Sequence, residues 1–230
     1  MVQGFRKKHS LRQFQELMKK TYSIPDDRFY SLNDLLINQQ RFAMRALKGI
    51  RKKDRAKLKK NLIVAFSWMM TISGRLHIDI EKITLKRFPF ACSYCGEAPC
   101  KCQKNYKEKK KIKSESSREN KPLNLVDMQE MFEAIYPSRR RTLEEAGIHL
   151  AEEIGELGEA ILYYFGEHKK RQFEQIEIEI ADYVSCIFGI ANSANINMAL
   201  EFSKMFKKGC QVCHKIPCNC NFSFVSKYQS

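Results

Sequence analysis

Two cysteine clusters constrain this chain more than any other feature. "CSYCGEAPCKC" runs from Cys92 to Cys102, and "CQVCHKIPCNC" runs from Cys210 to Cys220. Both read C-x2-C-x4-C-x-C, and corresponding cysteines lie 118 residues apart. Only Cys186, of nine cysteines, stands outside them. Four thiols packed this closely suit one tetrahedral ion better than disulfides in a cytoplasmic setting. We therefore expect two structural Zn²⁺ sites. One uses Cys92, Cys95, Cys100 and Cys102; the other uses Cys210, Cys213, Cys218 and Cys220. Iron–sulfur ligation, paired disulfides and metal-free knuckles are the alternatives.

The same separation organises the remaining sequence. "SLNDLLINQQRFAMRALKG" aligns without a gap to "HLAEEIGELGEAILYYFGE", and "NLIVAFSWMMTISGRLHIDI" to "EIADYVSCIFGIANSANINM". Apolar positions coincide: Leu32 with Leu150, Phe66 with Val184, Met69 with Ile187, Ile72 with Ile190. Further upstream, "LRQFQELMKKTY" matches "LVDMQEMFEAIY" at a separation of 114. An internal repeat explains this pattern. The expected organisation is one repeat over 1–105 with its knuckle at 92–102, a charged linker over 106–122, and a second repeat over 123–230 with its knuckle at 210–220. Scarce Gly and Pro and the 3.6-residue apolar period predict an all-α fold. Helices of the second repeat are expected near 123–136, 141–165, 170–194 and 197–208.

Charge divides along the same line. Residues 1–105 hold 23 Lys and Arg against 8 Asp and Glu, the linker 7 against 3, and residues 123–230 hold 11 against 15. The longest apolar run, "LIVAFSWMM", has nine residues, short of the roughly 20 needed to span a bilayer. The basic start lacks an apolar signal core. These features predict a cytoplasmic protein without a membrane partner.

The informative acids sit on core-facing helix arcs. In "HLAEEIGELGEAI", Leu150, Ile154, Leu157 and Ile161 form an apolar stripe. Glu153 falls within it and Glu156 lies at its edge, whereas Glu152 and Glu159 point away. His149 reads as a capping or core-edge residue, and Cys186 as a buried small side chain. In "EIEIADYVSCIFGIAN", Glu179 and Asp182 are one turn apart and share an arc with Ile176, Tyr183 and Ile190. Antiparallel packing would gather Glu153, Glu156, Glu179 and Asp182 inside a bundle. Buried charges of one sign need a partner, and clustered carboxylates suit Mg²⁺ or Mn²⁺.

Glu153-x-x-Glu156 followed by Glu179-x-x-Asp182 resembles the E-x-x-E…E-x-x-D signature of MazG-like nucleoside triphosphate pyrophosphohydrolases, an all-α group. The resemblance covers roughly residues 123–208. It implies hydrolysis of an NTP or dNTP to the monophosphate and pyrophosphate, with Mg²⁺ or Mn²⁺ held by the four acids. Glu152 would orient or deprotonate the attacking water. Asn192, Lys169, Lys170, Arg171 and Lys204 are the candidates for nucleotide contact. The first repeat departs from the signature, with Leu35, Asn38, Asn61 and Val64 at the matched positions. It reads as a pseudo-subunit in a group whose members self-associate.

A second class of function stays open. Residues 45–60, "RALKGIRKKDRAKLKK", hold nine Lys or Arg. Together with the knuckles they could bind nucleic acid or an acidic protein. A catalytically weak nucleotide sensor lies between the two classes. The bland alternative for the basic run is a solvated helix connection.

Overall fold

A computed structural model describes residues 4–102 and 123–221. The expected linker at 106–122 lies outside the described residues. Those residues form α1 (Leu11–Phe29), α2 (Leu32–Arg51), α3 (Arg55–Arg75), α4 (Ile80–Arg87), α5 (Leu125–Ile135), a 3₁₀ turn (Ser138–Arg140), α6 (Leu143–Glu167), α7 (Lys170–Ser193) and α8 (Met198–Met205). No strand occurs among them. No described helix is long and apolar enough to cross a membrane.

Local sequence explains where helices begin. Ser10, Ser31, Asn124 and Thr142 each open a helix as an N-cap with a reciprocal bond from the third helical residue. Pro137 helps end α5, since the residue before proline disfavours helical backbone. The matched α1 instead runs on through Pro25. Matching extends to finer features. α4 and α8 coincide at the 118-residue separation, and His77 and Asn195 both adopt left-handed backbone after α3 and α7. Each knuckle has one cis X–Pro bond, at Pro99 and at Pro217.

The compact units cut across the repeats. One unit is Met1–Ile80 with Ile196–Ser230; the other is Glu81–Asn195. Each therefore takes its short helix and its knuckle from the other repeat, and only the first unit is made of two separate segments. In the first unit, hereafter unit 1, α1, α2 and α3 pack with α8. Phe14, Phe66, Phe202 and Phe206 form its aromatic centre, Phe14 and Phe202 lying 4.3 Å apart by ring centroids. Gly49 lets α2 and α3 close up, because a Cβ there would sit 2.6 Å from the Leu58 nitrogen. In the second, unit 2, Phe88 after α4 packs on Phe132, which stacks on Phe188 of α7. Burying each such ring contributes roughly 1.5–3 kcal/mol.

The exchange is anchored at both knuckles in the same way. Cys100 donates its N–H to the Ile135 carbonyl at 2.7 Å, and Cys218 donates to the Thr21 carbonyl at 2.7 Å. Ile135 and Thr21 correspond at the 114-residue separation. The next residues, Tyr136 and Tyr22, hydrogen-bond Cys92 and Cys210.

Candidate functional site

In unit 2, α6 and α7 form an antiparallel hairpin closed by left-handed His168. Glu153 lies about 21 Å along α6 before the hairpin, and Asp182 about 18 Å along α7 after it. The two therefore face each other. Carboxylate oxygens of Glu153, Glu179 and Asp182 all lie within 4.8 Å of one another. Glu179 and Asp182 are buried and Glu153 is half-buried.

The electrostatics show the strain of this arrangement. Burial, followed by the charges of Asp182, Glu156 and Glu179, pushes the Glu153 carboxyl up to about 8. Its Oε2 is buried with no hydrogen-bond partner. Glu179 is likewise pushed up by burial, although it accepts a hydrogen bond from Gln175. Asp182 receives a fork from Arg87 at the end of α4: Nε donates to Oδ1 at 3.0 Å and Nη2 to Oδ2 at 2.8 Å. Burial would depress Arg87, but hydrogen bonding and charge from Asp182 raise it instead. The Tyr94 ring, in the knuckle, lies 5.2 Å from the same guanidinium. An orphaned acid oxygen among three converging carboxylates fits a divalent cation with hard oxygen ligands.

The other expected residues fall as follows. Glu156 is exposed and outside the tight group, although its charge acts on both Glu153 and Glu179. Glu152 is exposed and contacts His149 at 3.1 Å. His149 is exposed too, so it is neither a cap nor a core-edge residue: α6 begins earlier, at Thr142, and caps there. Asn192 commits both ends of its amide to Gln129 of α5. Lys169 pairs with Glu167 and Lys170 with Glu174 near the start of α7. Arg171 is exposed. Lys204 belongs to unit 1, on α8, where it pairs with Glu201. Cys186, expected to be buried, is of intermediate exposure, and desolvation raises its thiol.

Arg87 and Tyr94 are the residues that sequence reasoning missed. Both belong to the first repeat, which has Leu35, Asn38, Asn61 and Val64 at the positions matching the four acids. Another missed group is Arg141, whose buried Nε and Nη2 have no hydrogen-bond partner. It packs against Gly189, where a Cβ would lie 2.2 Å from Nη2.

Each knuckle gathers its four cysteine sulfurs within 4.8 Å and could hold a metal ion. All nine cysteines are free thiols. Backbone N–H groups point at the sulfurs, Cys102 to Cys100 at 3.3 Å and Cys220 to Cys218 at 3.4 Å. Such donors stabilise thiolates around a metal. The basic run 45–60 spans the end of α2, the turn and the start of α3; its Arg51, Lys52, Lys53 and Arg55 are exposed, while Lys59 pairs with Glu201.

No family model, curated protein or solved structure matches the chain.

Proposed function

We propose that unit 2 is a metal-dependent nucleoside triphosphate pyrophosphohydrolase of the MazG-like kind, in a chain built from a tandem duplication with a degenerate first copy. The observation that carries this reading is the convergence of Glu153, Glu179 and Asp182 on facing helices. These three hold Mg²⁺ or Mn²⁺, and Glu156 joins them through the solvent side. The cation supplies positive charge against the triphosphate and makes water more acidic. Burial and the neighbouring carboxylates raise Glu153, so it would have to be deprotonated to hold a cation. Arg87 leaves Asp182 and turns its two-pronged donor face to phosphate oxygens.

The knuckles are zinc sites in this reading. A tetrahedral Zn–S bond of about 2.3 Å implies sulfur separations of about 3.8 Å. Two sulfur pairs stand at 3.7 and 3.9 Å in one knuckle and two at 4.0 and 3.8 Å in the other. Their work is to pin the segment that each unit takes from the other repeat, and through Tyr94 the first also braces Arg87.

One observation favours a second reading, a nucleotide sensor with slow turnover. Arg87 occupies both oxygens of Asp182, so a cation entering there must displace a guanidinium. The deciding experiment incubates the whole protein with a panel of NTPs and dNTPs plus Mg²⁺ or Mn²⁺ and measures pyrophosphate, with Glu153→Ala as control. Release that disappears in the variant supports the hydrolase. Binding without release supports the sensor, and neither, in folded zinc-loaded protein, sinks both.

A further inference from the structure

The basic run 45–60 does not stand alone in unit 1. The turn between α2 and α3 exposes Arg51, Lys52, Lys53 and Arg55. One turn into α3, Lys59 reaches Glu201 of α8 at 3.2 Å, and Lys204 reaches the other oxygen of the same carboxylate at 3.0 Å. α8 thus continues the surface that the turn begins, and the exposed Lys207 and Lys208 follow it. The segment before α1 is seated there. Phe5 donates its N–H to the Phe206 carbonyl at 3.0 Å, and a Cβ on Gly4 would lie 1.9 Å from the Lys207 carbonyl oxygen. The Phe5 ring is buried against Phe14 and Phe202. That anchor leaves Arg6, Lys7 and Lys8 exposed beside the end of α8. Three segments far apart in sequence therefore make one basic surface.

Residues 4–9, 48–60 and 198–209 hold 14 Lys and Arg against two acids. Both acids serve the frame. Asp54 caps α3 by accepting the Lys57 N–H at 2.9 Å, and Glu201 clamps two lysines. A solvated helix connection needs no such excess, as the matched copy illustrates. At the 118-residue separation, Glu167 and Glu174 stand where unit 1 has Gly49 and Ala56, and they pair with Lys169 and Lys170. Pro89 and Phe90 stand where unit 1 has Lys207 and Lys208. The frame folds with these charges neutralised or absent, and unopposed like charges in unit 1 repel one another without gain to folding.

The surface selects its partner by what it lacks. None of the three segments exposes a large apolar side chain. It therefore has no hydrophobic centre for a protein interface and no anchor for a bilayer. Its aromatic rings, Phe5, Phe202 and Phe206, are all buried, so the bases of a single strand would find nothing to stack on. What remains is charge spread over a length, since Glu201 to Lys208 alone spans about 10 Å at helical rise. A small anion would engage two or three of these cations. A duplex carries one charge per roughly 1.7 Å of axis and can engage all three segments together.

We infer that this surface of unit 1 binds duplex nucleic acid through its phosphates, without reading bases. The inference does not depend on the hydrolase reading of unit 2.

The test measures fluorescence anisotropy of labelled duplexes of about 20 base pairs, one DNA and one RNA, titrated with the whole protein. Binding of at least one duplex is expected, and the tighter of the two names the source. Affinity should fall about 10³-fold between about 50 and 200 mM salt, the slope of about six phosphate contacts. Charge reversal at either end of the surface, Lys52→Glu with Lys53→Glu or Lys207→Glu with Lys208→Glu, should weaken binding about tenfold or more and lower the salt slope by about two. All four side chains are exposed, so both variants should unfold at the parent's temperature. Lys19→Glu with Lys20→Glu makes the same charge change on exposed residues about 12 Å from the start of α1, and should weaken binding by less than about threefold. No binding of either duplex at about 50 mM salt overturns the inference. So does an end pair whose reversal costs nothing, or a Lys19 and Lys20 reversal that costs as much as the end pairs. A single strand of the same length bound more tightly than the duplexes overturns it in favour of a single-strand surface. Polyglutamate bound as tightly as the duplexes overturns it in favour of an acidic protein, and phosphatidylserine vesicles bound where neither duplex is overturn it in favour of a membrane.

Discussion

The hairpins α2–α3 and α6–α7 are built alike and carry opposite chemistry. Leu35 and Glu153 occupy matched positions. Leu35 is fully buried, while Glu153 leaves a buried oxygen without a partner. Val64 lines an aromatic cavity where Asp182 holds an arginine fork. Even the neighbouring buried charge changes sign. Thr71 bonds the buried Asp26, whereas its counterpart Gly189 makes room for Arg141. The helical frame tolerates leucine or glutamate at these places, so the frame did not demand the acids. Acids held at an energetic cost that the frame does not demand are what the proposed metal site would need.

Where the two units agree, they should respond equally. Cys92→Ser and Cys210→Ser each remove one thiolate from a matched knuckle. Metal analysis should give two zinc ions per parent chain and one in each variant. Each loss should cost several kcal/mol, on the order of 3–5, since metal affinity is folding free energy. Clearly unequal losses would break the equivalence of the knuckles; parent protein that contains no metal after purification with zinc would remove it altogether.

Where the units differ, the responses should diverge. Glu153→Ala and Asp182→Asn should cut pyrophosphate release by about 10³-fold or more, roughly 4 kcal/mol of transition-state stabilisation. Asn61→Ala, at the position matching Glu179, should leave release within about twofold while lowering stability by around 1 kcal/mol, since its amide donates to the Lys57 carbonyl at 2.7 Å. Equal loss from both sides would show that the first repeat is not degenerate.

Much of this contrast was legible in the residues. The helices fell within two or three residues of their expected bounds because apolar periodicity and polar caps are local signals. The convergence of Glu153, Glu179 and Asp182 followed from arc and antiparallel register, which sequence also encodes. What sequence hid depends on chain path. Nothing local to α4 says that it packs in the unit containing α6 and α7, so Arg87 and Tyr94 went unread. His149 was misplaced for a different reason. An arc drawn at 100° per residue identifies a helix face but not where the neighbouring helices end. Asp26 gave no sign at all, since nothing local to "PDDRFY" separates the buried Asp26 from the exposed Asp27 beside it.

Arg87 sharpens the comparison further, because its counterpart at the 118-residue separation is the uncharged Met205. Side chains of Arg87 and Asp182 are 15% and 12% exposed. Breaking a buried pair leaves a charge uncompensated, so Arg87→Ala should destabilise the Mg²⁺-free protein by about 3 kcal/mol. Saturating Mg²⁺ should shrink that loss, because the cation takes over the carboxylate. Arg87→Lys should recover part of the stability but not the two-pronged geometry. A loss that Mg²⁺ leaves unchanged would assign Arg87 to the fold alone.

The smallest effect concerns pH, and it separates the two units by titration. Burial raises Asp26 from 3.8 to about 7 and Glu153 from 4.5 to about 8. An acid whose folded value exceeds its unfolded one favours the folded state while protonated. Its contribution is therefore complete below about pH 4 and is lost as pH rises through about 7 for Asp26 and about 8 for Glu153. Metal-free protein should be less stable at pH 8 than at pH 5, by on the order of 2 kcal/mol from Asp26 alone after allowing for residual solvation. Metal binding requires the deprotonated carboxylate, so Mg²⁺ should flatten the part of the slope that belongs to Glu153 and spare the part that belongs to Asp26. Asp26→Leu should do the reverse. Urea unfolding at pH 5, 6, 7 and 8, with and without Mg²⁺, reads both. A slope that Asp26→Leu leaves intact and Mg²⁺ abolishes would place all the titration in unit 2. One that neither changes would assign it to groups outside both sites.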